Sequence, residues 1–218
     1  MNIIPNYAEM QKLAHKYILK YWDGTLPIDS IKLAHNVAQS NKNLKIYTYT
    51  ELSKELNVSV ERIKKVSDDG YLSYNEKKDV FYLVYNNEIE DKRKIQWTVA
   101  HELGHYSSEN IFKTPGIYKF SDGHTKEIKE IEADYFAKNL MMPLPILCSI
   151  NEGENPILSP YDIMEISNLN FSPSLYVYNH LYNKLTPYII NKLPYKKELE
   201  ILFNNELKIL KRNFDFFD

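Results

Sequence analysis

The chain predicts an α+β fold, a small antiparallel or mixed sheet packed on one central helix and followed by a helical C-terminal part. Three observations carry this. Residues 79–86, Asp-Val-Phe-Tyr-Leu-Val-Tyr-Asn, are rich in β-branched and aromatic types and close on Asn86-Asn87, which predicts a strand and its turn. Ile95, Val99, Leu103 and Tyr106, and then Ala133, Phe136, Ala137, Leu140 and Met141, recur at helical spacing, so two amphipathic helices follow that strand. Past residue 158 the apolar pattern stays helical, over 160–184 and 195–212.

Taken in order, residues 6–22 predict an amphipathic helix and 28–39 a second, introduced by Pro27 and Asp29. Residues 44–49 predict a short strand, with 71–74 and 80–85 as its companions. Between them, 51–66 reads as a helix-turn-helix with Asn57 at the turn, and 159–177 has a similar two-helix pattern. Asp91 is the expected N-cap of the first central helix. Met142-Pro143-Leu144-Pro145 stops the second, because proline has no amide hydrogen to continue the ladder. Residues 151–160, with Gly, Asn and Pro, read as a loop. Leu199, Leu202, Phe203, Leu207, Leu210, Phe214 and Phe217 form a stripe that could bind a partner and is more often used to cover the chain's own core.

Size and charge bound the function. At 218 residues and 25.8 kDa the chain suits one domain with an appendage, or two small ones. A net charge of -2 with 26% charged residues gives no electrostatic reason to bind nucleic acid or an anionic membrane. Cys148 stands alone, so the chain forms no internal disulfide. The N-terminus lacks a basic region followed by an apolar core, and no apolar run approaches the about 18 residues of a membrane span. The chain reads as cytoplasmic.

The chemistry is concentrated in His101-Glu102-Leu103-Gly104-His105. Residues four apart on a helix sit about 40° apart around the axis, so both imidazoles can meet one metal ion. Glu102, about 100° round, can reach a water on that metal and act as general base. A catalytic zinc needs a third protein ligand and leaves its fourth position open. Glu130 is the expected third ligand: Glu130 and Asp134 flank the apolar stripe of the second helix, whereas Glu132 points away from it, toward solvent. Asp134, one turn on, can accept the ring N–H of a ligand histidine and fix its tautomer. Glu127 stays open as the alternative ligand. Trp97, Thr98, His101, His105 and Ser108 are expected on the face of the first helix that looks at the metal, and Gly104 asks for close approach of another backbone. Zinc is the default ion for two histidines and a carboxylate, with manganese the alternative.

The run Trp97-Thr98-Val99-Ala100-His101-Glu102-Leu103-Gly104-His105, followed by Glu130-Ile131-Glu132-Ala133-Asp134-Tyr135-Phe136-Ala137-Lys138-Asn139-Leu140-Met141-Met142-Pro143, resembles the ImmA/IrrE metallopeptidases. The second motif is the more specific, and the likeness covers roughly 25–180. Trp97, Met141 and Ser107-Ser108-Glu109-Asn110 depart from the usual pattern without touching a ligand. The resemblance implies a zincin-like fold and a gluzincin-like ligand set with Glu130 as third ligand; the expected division of the chain is a catalytic domain at 1–148, including the N-terminal helices, and a helical region at 149–218. It also implies a narrow-specificity endopeptidase whose substrate is a helix-turn-helix repressor encoded nearby.

Other features are weaker. His124, His180 and Tyr106 are candidates to stabilise an oxyanion. By analogy with zincins, Val80, Tyr82 and Val84 are candidates to hold a substrate as an added strand. Arg62, Lys64 and Lys65 could give the 50–66 segment a DNA-binding role, but Glu51, Glu55 and Glu61 nearly cancel their charge. A metal-bearing protein that sequesters a repressor without cutting it is the remaining alternative.

Overall fold

The computed structural model describes residues 4–108, 116–117, 123–151, 158–184 and 187–214. The side chains of 116–117, 123–126, 184, 187 and 213–214 lie outside that description. The chain divides into two compact units, Met1–Met10 with Ser30–Ala137, and Gln11–Asp29 with Lys138–Asp218. Helix α1 (Tyr7–Tyr21) begins in the first and continues in the second.

The first unit is built on a mixed sheet. In chain order it holds α2 (Ser30–Ser40), β1 (Leu44–Thr48), α3 (Tyr49–Leu56), α4 (Val60–Lys64), β2 (Gly70–Asn75), β3 (Val80–Tyr85), α5 (Lys92–Ser107), β4 (Gly116–Ile117) and most of α6 (Gly123–Met141). The strand order is β1-β3-β2-β4. β3 runs parallel to β1, with Ile46 opposite Leu83, and antiparallel to β2, with Leu72 opposite Leu83. β2 also pairs with β4 at Ser73 and Tyr74.

The strand alternation decides what covers each face. Phe81, Leu83 and Tyr85 point one way, and Phe81 meets the Tyr106 ring edge-on at 5.3 Å, so α5 lies on that face. An added Cβ at Gly70 would stand 2.6 Å from Thr98 Cγ2, so β2 needs glycine there for α5 to approach. The opposite face, carrying Tyr82 and Val84, is covered by α3 and α4 through Tyr49, Ile63, Leu52 and Val60. Asp91 caps α5 by accepting from the amides of Arg93 and Lys94. Gln96 of α5 accepts the Ser30 amide at 2.6 Å and so starts α2 two residues later than its sequence pattern suggested.

Two readings change. β3 is interior, its amides and carbonyls shared between β1 and β2, so Val80, Tyr82 and Val84 have no edge to offer a substrate strand. Among the described residues the terminal strands are β1 and β4. The 51–66 helix pair exists, with a Thr48–Glu51 capping box and Asn57 in the left-handed region at φ 50°. Its apolar side is used up on the sheet, α4 has five residues, and Lys64 is paired with Glu61 and Glu88.

The second unit is helical, with α7 (Leu144–Ile150), α8 (Pro160–Ser167), α9 (Phe171–Lys184), α10 (Pro187–Ile190), α11 (Lys196–Leu202) and α12 (Asn204–Phe214). Pro143 ends α6 as expected and stands as the N-cap of α7, whose first turn carries Pro145 where a missing amide hydrogen costs nothing. The single helix expected over 195–212 breaks at Phe203. Leu199, Phe203 and Leu207 are buried, with α11 and α12 against α7, so this part of the stripe does cover its own core; the side chains of Phe214 and Phe217 lie outside the description. Much of the loop expected at 151–160, residues 152–157, lies outside the described residues. No helix among the described residues is long and apolar enough to cross a membrane.

His15 on α1 is fully buried, with Nδ1 2.9 Å from the Pro194 carbonyl oxygen. Of the two neutral tautomers, the one with its proton on Nδ1 donates that bond. Burial pushes its pKa down from 6.5 to about 4, against the opposing pull of Pro194. As pH falls from 6.5 toward 4 the unfolded chain takes up a proton that the folded imidazole refuses, so stability is lost across that window. The melting temperature of the protein is expected to fall over this range, and to fall less in His15→Gln; an equal fall in both would remove His15 as the cause.

Candidate metal centre

All the side chains that sequence assigned to a metal lie on α5 and α6, within the first unit. Ile95, Val99 and Leu103 turn to the core, at most 4% exposed, which rolls His101 and His105 to the other flank of α5. On α6, Ala133, Phe136 and Ala137 are buried at 1% exposure or less, and Glu130 and Asp134 flank them.

The two helices meet at Gly104. A Cβ there would come within 3.1 Å of the Cα and the carbonyl oxygen of Ala133 and of the Phe136 ring. Hydrogen at that position lets α6 sit a few tenths of an ångström nearer than a side chain would allow, which favours the reach of its carboxylates to the imidazoles of α5.

The result is a tight group. Nε2 of His101 lies 3.2 Å from Oε2 of Glu130, and Nε2 of His105 lies 3.8 Å from Oε1 of the same carboxylate. The three ligand atoms all fall within 4.8 Å of one another. Ligand atoms around a tetrahedral ion with bonds of about 2.0–2.1 Å stand about 3.3 Å apart, so this donor set fits one ion with little movement. The imidazole rings are nearly perpendicular, at 84°, with centroids 4.7 Å apart. Nδ1 of His101 faces Asp134 Oδ1 at 2.9 Å, leaving Nε2 for the cluster.

The charges are coupled. Burial alone would depress the His101 pKa, but the bonds from Asp134 and Glu130 outweigh it and raise it to about 10. Glu130 answers in the opposite sense: the contacts with His101 and then His105 hold its carboxyl well below the usual carboxylate range, despite its burial. A cation arriving at Nε2 takes the place of the proton that Glu130 attracts there. Glu102, half-buried on the next position of α5, adds its own negative charge to those raising His101.

Several expectations shift. Glu127 is exposed and outside the cluster. Thr98 faces Gly70 of β2 rather than the second helix. Tyr106 donates to Asn43 at 2.9 Å and packs on Phe81, so its hydroxyl is committed to the sheet side. His180 belongs to the second unit, stacked on Tyr176, and the side chain of His124 lies outside the described residues. Glu132 is not at the surface: it is 5% exposed and accepts from the Asn6 amide at 2.9 Å and from Lys129 Nζ at 2.7 Å. Only the fold could supply that partner, 126 residues away.

Over residues 53–163, just over half of its length, the chain matches the sequence pattern of the IrrE N-terminal-like domain, a peptidase family. The chain belongs to that family. Both halves of the cluster, on α5 and α6, fall inside the matched span. Membership in the IrrE N-terminal-like family supports a peptidase, whose substrate is a polypeptide, and agrees with the α+β architecture described above. No curated protein matches the chain.

Gly104→Ala is expected to raise intrinsic helix propensity by ~1 kcal/mol while forcing α5 and α6 apart by a few tenths of an ångström. Divalent-metal affinity measured by chelator competition should drop about tenfold while the melting temperature changes little. Unchanged affinity would show that the glycine contact does not set the site.

Proposed function

We propose that the protein is a zinc-dependent endopeptidase of narrow specificity, with His101, His105 and Glu130 as metal ligands and Glu102 as general base. The observation that carries this is the convergence of two Nε2 atoms and one carboxylate within 4.8 Å, beside a further carboxylate that is not among them. Two histidines and one glutamate leave a coordination position open, which favours a catalytic over a structural ion.

A bound zinc ion would supply Lewis acidity, polarising a peptide carbonyl and lowering the pKa of a water to about 7. The chain's own residues do the rest. Asp134 accepts the Nδ1 hydrogen of His101, keeps Nε2 turned to the ion and makes the ring a better donor. Glu102 takes the proton of the attacking water on its carboxylate and passes it to the leaving amine nitrogen. Strand addition at β1 or β4 would present the peptide in extended form. The substrate we propose is a helix-turn-helix repressor encoded nearby; the likeness of the two motifs to ImmA/IrrE enzymes supports that choice, and the geometry speaks only to the reaction.

Glu102→Gln should keep fold and metal and lose turnover; cleavage retained by that variant would remove Glu102 from the mechanism. Glu130→Ala should lose metal, and Asp134→Ala should bind it about ten- to a hundredfold more weakly. The function itself is tested by incubating the protein with the repressor of the neighbouring gene, with and without chelator, and weighing the products. Two fragments that disappear with chelator are expected. An intact repressor held in a stable complex would instead mean sequestration without hydrolysis.

A further inference from the structure

We propose that Glu132 is a positioning residue of the metal centre, fixing the rotation of α6 by gripping the backbone of Asn6. The inference depends on the metal-site reading above and adds to it the part of the chain that aims the third ligand.

Glu132 lies about 160° round the helix from both Glu130 and Asp134, so it occupies the back of α6 while they occupy the front. The residue is nonetheless buried, at 5% exposure. One oxygen accepts the Asn6 amide at 2.9 Å, the other Lys129 Nζ at 2.7 Å. Tyr135, on the same side, meets the Tyr7 ring edge-on at 4.9 Å. Asn6 is itself held, since its side chain accepts from the Glu9 amide and its carbonyl from the Met10 amide as α1 begins. The N-terminal segment is therefore a fixed backstop for α6.

Stability alone does not ask for a carboxylate here, because a buried ion pair can be replaced by well-packed apolar side chains at little loss. A directional acceptor does something an apolar residue cannot: it locks the angular setting of the helix. Ligand atoms stand about 6 Å from the helix axis, so a rotation of about 10° carries them about 1 Å, several times the roughly 0.2 Å tolerance of a metal bond. Ala133 and Phe136 against Gly104 set how near α6 comes to α5. Glu132 on Asn6 sets which way it faces.

The test uses the full-length chain loaded with Co2+, whose visible absorption reports ligand geometry. Glu132→Leu is expected to shift that spectrum and weaken cobalt binding at least about tenfold. Glu132→Gln, which keeps an oxygen for the Asn6 amide, should stay near wild type. Asn6→Pro deletes the same amide hydrogen without touching α6 and should reproduce the Leu variant, whereas Asn6→Ala, which removes only the cap on α1, should not; this pair carries the test if Glu132→Leu fails to fold. Wild-type spectra and affinity in both Glu132→Leu and Asn6→Pro, whatever their melting temperatures, would overturn the proposal. A wild-type chain that binds no cobalt would sink the metal-site reading itself and this inference with it.

Discussion

The closeness of α5 and α6 at Gly104 is the constraint on which the rest depends. Imidazoles four residues apart on one helix make half a site, and the other half must come from a neighbour near enough for short carboxylate side chains to span the gap. Contacts of 3.1 Å from a notional Cβ to the Ala133 backbone mean that any side chain there would push α6 back by a few tenths of an ångström. Helix propensity argues against glycine at this position by ~1 kcal/mol, so the residue is a local loss that the site's geometry explains.

The remainder of the first unit holds α5 still. Its apolar flank is pressed on the sheet, and burial of Ile95, Val99 and Leu103 contributes about 1.5–3 kcal/mol apiece as an upper estimate. That offsets the cost of crowding His101, Glu130, Asp134 and Glu102 on the other flank. The helix pair α3–α4 shields the far face of the sheet, which gives it a structural reason to exist without any nucleic acid. The first unit thus reads as layers in a chain of support, from α3–α4 through the sheet to α5 and on to α6.

Much of this was legible in the residues because it is local. The 3.6-residue period placed His101 and His105 on one flank, set Glu130 and Asp134 apart from Glu132, and paired Asp134 with a ligand ring; it left Glu127 open, and the structure put that residue outside the cluster. The alternation of 80–85 marked a strand. What sequence could not supply was any partner fixed by tertiary order. β3 looked like an edge because its own pattern is silent about neighbours, and only the pairing with both β1 and β2 made it interior. Glu132 looked solvated because nothing in the helix announces that Asn6 will return to cover it. Thr98 was assigned to the metal flank, but it lies near the boundary of the two flanks, where the close approach of Gly70 decides its direction.

The most direct test of the account is a crystal structure of the zinc-loaded protein with the ion located by anomalous scattering. The expected result is one ion about 2.0–2.2 Å from Nε2 of His101, Nε2 of His105 and a carboxylate oxygen of Glu130, with no fourth protein ligand. An ion bound without Glu130, or closed off by a fourth side chain, would contradict it.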